Sequence, residues 1–333
     1  MKGKLMLLLF MNLSFSPIFG STYKGSIDDT LRVLVKEYQS MMSYIGDRVW
    51  EDISETPAPL VLVTDAYEFL LYHPYPSEGF ISLGFDTALE TEVYRRERTF
   101  DRNILATFPA VQGVVCIVIG TPENTGKTLT DWLLTLIHER FHQYQMAQPN
   151  YFSRVEALDL SNGDQTGMWM LNYPFPYTEK TVQKSFLAYA KALQSAVSTI
   201  GTSRFKMAYA TYSEKRRWLQ EVLDEKDYGY FSFQLWQEGL SRHNEYVYGH
   251  LLKDYKISEE IIGMEGFTPI DEQVRVLRQR ELGNLQNMSL GEQKRLIFYS
   301  LGFAEGLLLE AKNPDWRKKY FTKPFFIERY VKE

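Results

Sequence analysis

The spacing of apolar positions changes twice along the chain. Between residues 27 and 49, apolar side chains fall at Leu31, Val33, Leu34, Tyr38, Met41, Met42 and Ile45, the three-to-four spacing of an amphipathic helix. Pro57-Ala58-Pro59 breaks that pattern. Short β-prone runs follow at 60–63, 69–72, 80–85, 92–100 and 104–119, the last with a turn at Gly113. Turn chemistry at His73-Pro74-Tyr75-Pro76 and Ser77-Glu78-Gly79 separates two of these runs. Helical spacing returns at Trp132, Leu133, Leu136, Ile137 and Phe141, and Thr128 with Asp131 three residues on gives this helix a capping-box-like start. Beyond Gln148-Pro149-Asn150 the strand-like runs cease. A loop through 161–177, rich in proline and aromatic residues at its end, precedes helices predicted over 179–200, 203–223, 231–253, 270–282 and 290–311, with a short helix or packing tail over 316–330.

This pattern predicts an α+β fold in two parts. Residues 21–149 form a small sheet leading into a helix, and residues 150–333 form a mostly helical unit. Residues 1–20 read as a secretory signal peptide: Lys2 and Lys4, an apolar run over 6–11, and small residues Gly20 and Ser21 at a cleavage position. The expected location is secreted or periplasmic, without a stable membrane span. Net charge is −5 over 333 residues, and basic residues are not clustered, which argues against a nucleic-acid partner. The single cysteine, Cys116, allows no intrachain disulfide and reads as a buried, inert thiol. Gly126-Lys127-Thr128 follows a strand like a P-loop, but Thr121 stands where the first glycine belongs, so a capped strand-to-helix loop is the better reading.

The candidate chemistry lies in the helix near residue 140. His138-Glu139-x-x-His142 puts two imidazoles at i and i+4, on one helical face, where both can reach one metal ion. Glu139 beside them can take a proton from a water at that metal. A catalytic zinc usually has three protein ligands, and no close third histidine follows. The downstream segment 236–246 offers carboxylates instead. Glu238, Arg242 and Glu245 fall at i, i+4 and i+7 and share a face. Either glutamate could be the third ligand, with Glu238 preferred because Gly239 permits close approach of another backbone; a Glu238–Arg242 salt bridge is the plain alternative. His243, Tyr246, Tyr248 and Tyr299 are candidate hydrogen-bond donors to a developing oxyanion.

His138-Glu139-x-x-His142 followed by Glu238 on a later helix resembles the gluzincins, the thermolysin-like zinc peptidases. The resemblance spans the two motif helices and the order of sheet before helix. It implies Zn2+ held by His138, His142 and Glu238, with Glu139 as catalytic base acting on a peptide or protein substrate. Two features depart from the family pattern. The gap between His142 and Glu238 is longer, and Arg242 occupies the position four after the ligand glutamate where the family carries an acid; Glu245 could take over that supporting role. A silent zincin-like cell-surface binding protein, or a zinc hydrolase of a non-peptide amide or ester, uses the same residues.

Overall fold

The computed structural model describes residues 25–75 and 79–331, so the expected signal peptide and part of the turn at 76–78 lie outside the described residues. The first helix, α1 (Asp29–Ile45), starts on an Asp28 N-cap and ends at Gly46, whose φ of +51° suits glycine. Six strands follow: β1 (Leu60–Val63), β2 (Tyr67–Leu71), β3 (Ile81–Asp86), β4 (Thr91–Glu97), β5 (Leu105–Val111) and β6 (Val114–Gly120). They form one sheet in the order β3-β4-β2-β1-β6-β5. Only β1 and β6 pair in parallel, and the other neighbours are antiparallel. Alternation sorts the strand side chains between two apolar clusters. Leu60, Leu62, Phe69, Leu71, Ile117 and Ile119 join the main core, while Val61, Val63, Leu70, Cys116 and Val118 build a smaller one on the other face. Cys116 is buried there, and burial pushes its thiol up to about 12.

The helix α2 (Leu129–Ala147) packs against β5 and β6. Thr128 caps it, accepting a hydrogen bond from the Asp131 backbone N–H. Leu133, Leu136, Ile137 and Phe141 are fully buried, each worth roughly 1.5–3 kcal/mol relative to exposure. That burial offsets the cost of taking the helix's polar side chains inside, and those side chains are also partnered. Arg140 donates to the carbonyls of Ile53, Thr56 and Pro57, and Gln143 to those of Pro59 and Val115. These bonds pin the helix to the sheet and to the loop before β1.

The second half is helical: α3 (Lys180–Ser198), α4 (Phe205–Val222), α5 (Glu225–Gln234), α6 (Leu240–Leu251), α7 (Ile270–Gln286) and α8 (Ile297–Lys312), with short helical turns between them. Two predicted helices differ from this. The one expected over 231–253 begins at Glu225 and is interrupted at Leu235–Gly239 by one π-helical segment between α5 and α6. The one expected over 290–311 is broken by a 3-10 turn at Lys294–Leu296, and only α8 continues. Among the described residues, no helix is long and apolar enough to cross a membrane.

The π segment touches α8 more closely than side chains would allow. A Cβ on Gly239 would lie 2.4 Å from the Gly302 Cα, and one on Gly302 would lie 2.5 Å from the Gly239 Cα. The two backbones cross at these glycines because neither carries a side chain. α6 then packs on α2, which brings the widened turn over the histidine face of α2.

Candidate metal centre

His138 and His142 stand one turn apart on α2, with their Nε2 atoms 3.1 Å apart. Glu238, on the π segment, points between them. Its Oε2 lies 3.3 Å from His142 Nε2 and 3.7 Å from His138 Nε2. A tetrahedral ion with bonds of about 2.0–2.1 Å keeps its donors about 3.3 Å apart, so this triangle has the size of a three-ligand zinc face. Two imidazoles and a carboxylate are also a donor set that suits zinc. π-helical turns are rare and tend to occur at functional sites. No family model, curated protein or solved structure matches the chain. The arrangement therefore rests on its own geometry.

Each imidazole is oriented from behind. Gln145 Oε1 lies 2.7 Å from His142 Nδ1, and the same amide donates to the carbonyls of Trp236 and Gln237 and to the Tyr320 hydroxyl. Gln237 Nε2 lies 3.1 Å from the same Nδ1, so two amides hold the ring from behind while its Nε2 faces Glu238 Oε2 at 3.3 Å. Glu245 Oε2 lies 3.4 Å from His138 Nδ1, an electrostatic contact without a hydrogen bond. Arg242 in turn pairs with Glu245 at 2.5 Å and approaches Glu281 at 3.7 Å. The Glu238–Arg242 pair allowed by the sequence is thus replaced by an Arg242–Glu245 pair behind His138.

The charges are strongly coupled. Burial favours the neutral forms, but the Glu238 carboxylate overrides this at His142 and raises it to about 9. Glu238 is itself held well below the usual carboxylate range: burial would raise it, and His142 and His138 lower it further than that. Glu245, against burial, is brought down to about 2 chiefly by Arg242. A proton is thus favoured on His142, and a metal bound there would have to displace it.

Glu139 belongs to the same cluster; with His138 and His142 it offers ligand atoms all within 4.8 Å of one another. Its Oε2 accepts a hydrogen bond of 2.8 Å from Thr107 on β5, and the same hydroxyl reaches the Glu139 carbonyl at 3.1 Å. The sheet therefore fixes the rotamer of this carboxylate.

The candidate oxyanion donors separate. His243 turns away from the histidines and packs on Gly306, Phe303 and Trp316, with Glu310 at 3.9 Å. Burial there lowers it to about 3, aided by Arg317. Tyr246 lies against His250 and Phe303. Tyr248 is buried, near Arg140 and Asn244. These three do not join the cluster. Tyr299 does: its ring is parallel to His138 at 6.2 Å, and its hydroxyl is raised by burial and by Glu238. Arg295, which no motif marked, donates to the Tyr299 hydroxyl at 3.3 Å and stands 3.8 Å from Glu238 Oε1. Gln145 and Thr107 were also unmarked; Gln145 sits one turn beyond the motif on the same helix, and that spacing could have flagged it. The aromatic loop contributes a wall behind α5: Tyr173 stacks on Tyr230 at 4.2 Å, and Tyr230 donates to the Met170 carbonyl.

Proposed function

We propose that the chain is a zinc-dependent hydrolase, most closely a gluzincin-type metallopeptidase that acts outside the cytoplasm. The observation that carries this reading is the triangle of His138 Nε2, His142 Nε2 and Glu238 Oε2, with mutual distances of 3.1, 3.3 and 3.7 Å. His138, His142 and Glu238 would hold the ion, with Gln145 and Glu245 placed behind the imidazoles. Bound there, zinc would lower the pKa of a water and polarise the scissile carbonyl.

The remaining steps belong to the chain. Glu139, held by Thr107, takes a proton from the attacking water and returns it to the leaving amine. The Tyr299 hydroxyl keeps its proton at neutral pH as any phenol does, burial and Glu238 raising it further, and donates a hydrogen bond to the developing oxyanion. The export half of the reading rests on Lys2, Lys4, the apolar run and the small residues at 20–21.

The test is elemental analysis of the purified chain together with turnover of a mixed peptide pool. Wild type should carry about one zinc per chain and cleave peptides. Glu139→Gln should carry the same zinc and cleave at least about 100-fold more slowly. A metal-free chain after zinc addition would refute the reading; zinc without turnover by wild type would turn it into a zincin-like binding protein.

A further inference from the structure

Arg295 shares its nearby carboxylate, Glu238, with two histidines. The neighbouring charges are matched elsewhere: Arg242 serves Glu245 and Glu281, and Arg280 lies 3.0 Å from Glu281. Among the described residues, the one carboxylate within 4 Å of Arg295 is Glu238, at 3.8 Å, which is beyond hydrogen-bond distance. A guanidinium has five N–H donors, and the described partner of these is the Tyr299 hydroxyl. The charge of this guanidinium also acts on the Tyr177 and Tyr230 hydroxyls, and its central carbon lies 5.5 Å from the centre of the Tyr299 ring. Tyr299 and Glu238 both engage Nη1, and among the described residues the remaining N–H donors of the guanidinium fork have no hydrogen-bond partner.

The position of that fork is informative. His138, His142 and Glu245 are almost wholly buried, whereas Glu238 and Arg295 are 17 % and 19 % exposed and Tyr299 is half-buried. Glu238 and Arg295 are thus the partly exposed edge of an otherwise buried cluster. With Glu238 Oε2 engaged on an ion, Arg295 would still present N–H donors to the entrant beside the reacting centre.

We propose that Arg295 is the anion-recognition residue of this centre: it binds a substrate carboxylate close to the bond that is cleaved. This rests on the hydrolase reading above. The carboxylate could be the α-carboxylate at a chain end or an acidic side chain beside the scissile bond; both present the planar pair of oxygens that a guanidinium fork takes bidentately.

The experiment uses full-length, zinc-loaded protein and three metal-directed probes that need no knowledge of the substrate: acetohydroxamate, succinate monohydroxamate and its neutral amide, succinamide hydroxamate. Affinities are read by calorimetry. The acid should bind roughly 10–100-fold more tightly than the amide, the value of a charge-assisted hydrogen-bonded pair. Arg295→Gln should erase that ratio, read against acetohydroxamate binding to the same variant, and Arg295→Lys should restore part of it. Equal affinity of acid and amide for wild type overturns the proposal and needs no variant. Arg295→Gln weakening all three probes alike also overturns it, because the residue would then only hold Glu238 and Tyr299 in place. A chain that takes up no zinc is a different result, which fails the hydrolase reading itself. Cleavage of a peptide library by wild type, read by mass spectrometry, separates the two sources. Loss of activity on C-terminally amidated peptides assigns the α-carboxylate, cleavage beside internal Glu but not Gln assigns the side chain, and indifference to both overturns the proposal.

Discussion

One methyl group on Gly302 tests whether the glycine crossing sets the geometry of the metal centre. In Gly302→Ala the new Cβ would meet the Gly239 Cα at 2.5 Å and the Leu235 carbonyl oxygen at 2.8 Å. Carbon atoms rest about 3.5–4.0 Å apart, so α8 and the π segment must separate by roughly 1 Å. Overpacking of this kind costs about 1–3 kcal/mol. Glu238 is the immediate neighbour of Gly239, so the separation moves its carboxylate relative to His138 and His142, and zinc affinity should fall by roughly tenfold or more. Gly306→Ala is the matched control. Its Cβ would strike the His243 ring at 2.4 Å, on the same helix but on a contact that does not carry a ligand. Denaturant unfolding of the zinc-free proteins measures stability without metal linkage, and competition against a chromophoric chelator measures zinc affinity. Both variants should lose stability, and only Gly302→Ala should lose zinc affinity. Gly302→Ala with wild-type zinc affinity, or Gly306→Ala losing as much, would refute the coupling.

Glu139→Gln should lower turnover by about 100- to 10,000-fold while zinc content stays at the wild-type level, as expected for a base that is not a ligand. Wild-type turnover in that variant would remove Glu139 from the mechanism. Glu238→Ala should abolish zinc loading, whereas Glu245→Ala, which strips His138 of its carboxylate, should weaken zinc by about 10–100-fold; the opposite ranking would exchange their roles. Stability should fall on acidification through His243. Its folded-state value of about 3 lies below the ordinary 6.5, so between these two pH values the unfolded chain binds a proton that the folded chain refuses. The loss is about 1.4 kcal/mol per pH unit, or about 2 kcal/mol by pH 5, and His243→Leu should show a correspondingly flatter acid limb in urea unfolding. Identical slopes for the two proteins would contradict the buried neutral imidazole.

The local part of the site was legible because its signals are local. The Thr128 cap and the apolar spacing from Trp132 to Phe141 act within one helix, and His138 and His142 meet because i and i+4 always share a face. Gly239 marked a close approach for a similarly local reason, the absence of a side chain. The π turn left no such mark. It is a slip in the hydrogen-bond ladder, from i+4 to i+5, that a 3.6-residue apolar period does not register. The partners of the site were hidden by sequence distance. Thr107 reaches Glu139 from the sheet, and Arg295 reaches Glu238 from a 3-10 turn inside what reads as a continuous helix. His243 misled because its neighbours in sequence face the cluster, while its own ring is taken by Gly306 and Trp316 on the other side of the helix.

The central claim is that three side chains from two distant helical segments close around one zinc ion. Anomalous diffraction at the zinc edge, from crystals of the zinc-loaded full-length protein, tests it most directly. The account predicts one strong peak about 2.0–2.2 Å from His138 Nε2, His142 Nε2 and a Glu238 carboxylate oxygen, with Glu139 close by but not bound. A peak bound elsewhere, a peak that engages Glu139 or Glu245 in place of Glu238, or no peak between the two histidines would contradict it.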